Sequence, residues 1–63
     1  MKINDTALRS IIYQKGWTQS RLAKEIGMNR PYISNLCRGL TCSEATAQKI
    51  ADALGVNLEE LKA

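Results

Sequence analysis

Apolar residues fall in five short runs at helical spacing, and the chain turns polar between them. Leu8, Ile11 and Ile12 form the first run, Leu22, Ala23 and Ile26 the second, and Ile33, Leu36 and Cys37 the third. Ala47, Ile50, Ala51 and Leu54 make the fourth, and Leu58 with Leu61 the last. Steps of three and four put each run on one face of an α-helix, and no stretch alternates as a half-buried strand would. Gly16, Gly27, Gly39 and Gly55 each follow a run, where a helix commonly ends in left-handed backbone. Asn4, Thr18, Asn29, Ser43 and Asn57 precede the runs, and all are types whose side chains cap a helix start. Each cap follows an apolar residue, and another lies four places after it. The pairs are Ile3 with Leu8, Trp17 with Leu22, Met28 with Ile33, Cys42 with Ala47, and Val56 with Leu61, a hydrophobic staple repeated at every helix.

The pattern predicts helices over 5–15, 19–26, 30–38, 44–54 and 58–62. Pro31 fits the third, because a first-turn residue needs no amide hydrogen. Glu60, three after Asn57, adds a capping-box-like pair to the last. The fold class is all-α: one compact five-helix bundle over residues 1–63, with the apolar runs as its core. Trp17, Val56, Leu58 and Leu61 are expected to close its ends.

Size and chemistry narrow the function. A domain of 63 residues buries only ~60% of the surface its unfolded chain exposes, which leaves little room for a deep active-site cleft. There is no histidine, so the commonest general base near neutral pH is missing, and no carboxylate, lysine and tyrosine set forms an evident catalytic constellation. Cys37 and Cys42, five apart and without histidine, do not make a tetrahedral zinc site. Free thiols are expected, with Cys37 a small core residue. No enzyme activity, metal or cofactor is expected. The amino terminus lacks the apolar run of a signal peptide and no segment reaches the length of a membrane span, so a cytoplasmic protein away from membranes is expected.

The net charge of +3 is unevenly spread. Residues 1–42 carry seven cations against Asp5 and Glu25, a net +5; residues 43–63 carry Lys49 and Lys62 against four carboxylates, a net −2. A basic front and an acidic tail suit a polyanion on one face only.

The joint between the second and third runs is the informative one. Only Gly27, Met28 and Asn29 separate them, so the two helices must cross steeply, and Ala23 is small enough to let them approach. Gln19, Ala23, Gly27, Ile33 and Leu36 stand at the offsets of a helix-turn-helix, whose second helix would enter a DNA major groove. The stretch "GWTQSRLAKEIGMNRPYISNLCRGLT" resembles the Cro and phage-repressor family of helix-turn-helix DNA-binding domains, and "IADALGVNLEEL" is similar to that family's last two helices. The resemblance runs from about Leu8 to Leu61. It implies a lambda-repressor-like fold, sequence-specific binding to double-stranded DNA, and action as a homodimer on a two-fold site.

Carried onto this sequence, the family roles make Arg30, Ser34 and Asn35 base readers, with Pro31 placed to touch a thymine methyl. Arginine suits guanine O6 and N7, and asparagine suits adenine N6 and N7. Gln19 would contact phosphate and brace the first reader. Tyr32, Arg38, Lys24 and the backbone around Leu40 and Thr41 would hold phosphates and set the register. One paired departure occurs: many members have arginine where Ile12 stands and glutamate where Cys37 stands. Exchanging both partners of a buried ion pair for apolar groups strands no charge.

The expected function is a small transcriptional regulator, a repressor of Cro type. The alternative is an antitoxin-like protein that grips a toxin and also binds DNA. The chain stops just after the fifth helix, so neither a sensing domain nor a small-molecule ligand is expected.

Overall fold

The computed structural model describes all 63 residues, in the order α1 (Asp5–Gln14), α2 (Gln19–Ile26), α3 (Arg30–Leu36), α4 (Glu44–Leu54) and a final 3-10 turn (Leu58–Leu61). Each α-helix begins where the sequence places a cap. Asn4, Thr18, Asn29 and Ser43 are extended, and their side-chain oxygens accept from the amides of Ala7, Arg21, Tyr32 and Thr46 at 2.9–3.2 Å. These bonds satisfy amides that the helix itself cannot pair.

Three boundaries differ from expectation. The fifth helix is a single 3-10 turn, opened by the Glu60 carboxylate accepting from the Asn57 amide at 2.9 Å. With only four residues between Asn57 and Lys62, the segment is too short for a run of α-type bonds. α3 stops at Leu36 rather than at residue 38, because the Asn35 carbonyl accepts from both Arg38 and Leu40 at 3.0 Å and turns the chain outward. α1 ends one residue early, at Gln14.

Fourteen residues form one buried core, and none of them is polar or charged. Twelve come from the apolar runs. Ile11 and Ile26, expected inside, are half-buried and pack against it, as do Trp17, Val56 and Leu58, expected to close the ends. The other two, Ile3 and Cys42, belong to segments outside the helices. Ile3 is buried because the amino-terminal strand is clamped on both sides. Lys2 pairs with Thr41 and Ile3 with Lys62 as antiparallel bridges, the Asn4 amide donates to the Leu61 carbonyl at 2.8 Å, and the Cys42 amide donates to Met1 at 2.9 Å. This strand ties the exit of α3 to the carboxyl-terminal tail. No helix is long and apolar enough to cross a membrane.

Candidate nucleic-acid interface

α2 packs more extensively against α3 than against any other element. The turn between them works through Gly27, at φ +72° and ψ +26°. Its amide donates to Lys24, and the Met28 amide reaches back to Ala23 at 2.9 Å, the paired bonds that end a helix in left-handed backbone. Asn29 then caps α3 at once. Leu22 and Ala23 of α2 and Ile33 and Leu36 of α3 fill the angle between the helices and are fully or almost fully buried. α3 is thereby anchored by one face and open on the other.

Arg30, Pro31 and Asn35 are exposed on α3 and Ser34 is half-buried. None of their side chains makes a hydrogen bond or ion pair within the chain. Arg30 occupies the first turn of a helix that has no acidic residue there. A cation in that position opposes the helix dipole by a few tenths of a kcal/mol, so it contributes nothing to folding. Gln19 is half-buried at the start of α2; Lys24, Arg38 and Thr41 are exposed; Tyr32 is half-buried with its ring against the core. Leu40 is 43% exposed, but its amide is already engaged by the Asn35 carbonyl. The Thr41 amide donates to nothing in the chain, and the bridge to Lys2 holds that residue in place.

Three of the nine cations have a carboxylate partner. Arg9 is paired with Asp5 at 3.0 Å and Lys62 with Glu59 at 3.0 Å, while Arg21 lies 3.6 Å from Glu25. Lys2, Lys15, Lys24, Arg30, Arg38 and Lys49 have no carboxylate partner. Residues 19–41 carry four cations against Glu25 alone, a net +3, and residues 1–18 carry three against Asp5, a further +2, so the positive charge spans α1, α2, α3 and the exit turn.

Ile12 and Cys37 are both buried, and with Arg9, Tyr13, Trp17, Thr18 and Gln19 they line an open groove of about 230 Å³. Arg9 donates to the Cys37 carbonyl, so the guanidinium that pairs with Asp5 also closes the end of α3. Burial pushes both thiols above the ordinary cysteine value of 9.0, the nearby Arg9 and the amino-terminal ammonium partly opposing it at Cys37 and Cys42 respectively. Neither is bridged.

Reading by sequence missed the clamp on Thr41 and a cation cluster on Trp17, whose ring has Lys15 Nζ at 5.3 Å and the Arg21 guanidinium at 4.7 Å. The interleaving of basic and aromatic residues over "KGWTQSR" is the signal that carries the second.

The helix-turn-helix family model matches residues 8–61. In three dimensions the chain is similar to the restriction-modification controller protein C.AhdI from Aeromonas hydrophila, at 32% identity and a TM-score of 0.84, over 89% of this chain and 83% of that one. It is also similar to a hypothetical transcription factor, NHTF, from Neisseria, at 32% identity and a TM-score of 0.83, over 89% of this chain and 66% of the other. A hydroxyethylphosphonate dioxygenase contains the same fold in 14% of its chain, at 24% identity and a TM-score of 0.86 over all of this chain. That likeness concerns the fold alone, since one architecture hosts unrelated functions. No curated protein matches in sequence. With the match spanning residues 8–61, the protein belongs to the Cro and phage-repressor type of helix-turn-helix family, whose members are DNA-binding regulators of transcription.

Proposed function

We propose that the protein is a repressor of Cro type that reads a two-fold symmetric DNA site as a homodimer. Arg30, Ser34 and Asn35 read base edges in the major groove, with Pro31 against a thymine methyl. Gln19, Lys24, Tyr32, Arg38 and the Leu40–Thr41 turn hold the backbone. The observation that carries this reading is the face of α3: Arg30, Pro31 and Asn35 stand exposed and unpaired, with Ser34 half-buried among them, on a helix whose other face is buried. The names of the similar proteins, a controller protein and a transcription factor, support regulation as the outcome.

The dimer follows from size. At 1.5 Å per residue the seven residues of α3 extend only ~10 Å, about three base pairs of B-DNA. Such a short contact supplies little specificity, and two copies on half-sites about one turn apart, ~34 Å, double it. Selecting bound sequences from a random duplex pool tests this. A symmetric motif with half-sites at that spacing is expected; a single half-site without symmetry excludes the dimer. A reporter gene placed behind the selected site should fall in expression when the protein is supplied, and a rise would exclude repression.

A further inference from the structure

We infer that Lys15 and Arg21, mounted together on the Trp17 ring, form an additional clamp on the DNA backbone, continuous with Gln19 and separate from the α3 reading face. The inference rests on the DNA-binding reading above and extends it to residues that the helix-turn-helix pattern does not assign. Lys15 caps the end of α1, Trp17 lies in the turn, and Arg21 stands in the first turn of α2. Both cations lie against one indole, at 5.3 and 4.7 Å from its centre. Their charges are therefore no farther apart than the sum of those distances, about 10 Å. Exposed like charges repel only weakly at that separation, and attraction to the ring outweighs the repulsion, so the indole itself holds two cations side by side on the surface.

A DNA strand supplies the complementary charge for such a pair. Each strand carries one phosphate charge per ~3.4 Å of helix axis, so two cations this close meet nearby phosphates of a single strand. The indole supplies order. Lysine and arginine are flexible, and resting on a half-buried ring holds their heads in place before DNA arrives. Lys15 has no carboxylate partner, and the contact of Arg21 with Glu25 is long and solvent-exposed, so both charges are available. The clamp also has a defined neighbour. Trp17, Thr18 and Gln19 line the same groove, so a strand held by Gln19 passes beside the ring.

The test measures affinity for a selected duplex and a scrambled one across salt concentrations, for the intact protein, the double variant K15Q/R21Q, and W17F. Removal of two phosphate contacts should lower the slope of log K against log salt by about 1.8. The binding deficit of K15Q/R21Q should therefore shrink about twelvefold between 50 and 200 mM salt, equally on both duplexes. W17F keeps both charges and should keep the slope, but bind both duplexes a few-fold more weakly because the platform is poorer. Thermal unfolding of each variant confirms the fold. An unchanged slope in K15Q/R21Q would overturn the clamp while leaving α3 as reader, and intact affinity in W17F would overturn the role of the ring. If the intact protein bound neither duplex, the DNA reading itself would fall, and the clamp with it.

Discussion

Replacement of Gly27 by alanine should destabilise the protein without touching its DNA-facing side chains. Gly27 sits at φ +72°, and a Cβ built there meets no atom within 4 Å. The cost is therefore purely conformational. A left-handed backbone costs an ordinary L-residue roughly 1–2 kcal/mol. In a domain of this size that lowers the thermal midpoint by about 5–15 °C. Asparagine tolerates the same region better, so Gly27→Asn should recover part of the loss. The assay is thermal unfolding followed by circular dichroism on the three proteins, with duplex affinity measured well below the lowest midpoint. The expected order is glycine, asparagine, alanine, with affinity nearly unchanged while the chain is folded. A cost of more than about 3 kcal/mol would mean that the added methyl collides with something. Equal losses for alanine and asparagine would show that side-chain bulk, and not backbone conformation, sets the turn.

Further outcomes concern the strand and the thiols. Ile3 is 1% exposed, so Ile3→Ala should cost about 2–4 kcal/mol, a large share of the roughly 3–9 kcal/mol such a domain has; a loss below 1 kcal/mol in denaturant titration would show that the strand is not docked. Cys37 and Cys42 should both react slowly with thiol reagents in the native state and quickly after unfolding, and a two-dalton deficit in the intact mass would contradict free thiols. Because burial raises both thiol values above 9.0, the folded chain holds its protons where the unfolded chain begins to lose them. Stability is therefore complete below that pH and falls as pH rises through the raised values, a slope that should flatten in the variant with both cysteines changed to alanine.

Most of this architecture was legible from local signals. The caps Asn4, Thr18, Asn29 and Ser43 and the runs they open are short-range features, and each α-helix starts where they place it. Its ends were less legible, because the stop of α3 depends on one carbonyl, that of Asn35, taking two outward-turning amides. The amino-terminal strand was not legible at all. Its partners, Thr41 and Lys62, are about forty and sixty residues away, and two isolated bridges leave no periodicity. The burial of Ile3 and Cys42 did have a trace, since both occupy staple positions ahead of a cap. On the candidate interface, the apolar run of Ile33, Leu36 and Cys37 marked the buried side of α3, and Arg30, Pro31 and Asn35 are exposed. The same reasoning passed over Lys15, Trp17 and Arg21, because their significance lies in two cations sharing one ring across a turn.

The central claim is that α3 reads bases. Titration of Arg30→Ala, Asn35→Ala and Lys24→Ala on the selected and scrambled duplexes, at several salt concentrations, tests it most directly. None of the three side chains makes a hydrogen bond or ion pair within the chain, so thermal midpoints should hardly move. Arg30→Ala and Asn35→Ala should each lose roughly 1–3 kcal/mol on the selected duplex and little on the scrambled one. Lys24→Ala should weaken both by similar factors and lower the salt slope by about one unit. Undiminished preference for the selected duplex in both Arg30→Ala and Asn35→Ala would contradict the account, because the bases would then be read by some other part of the molecule.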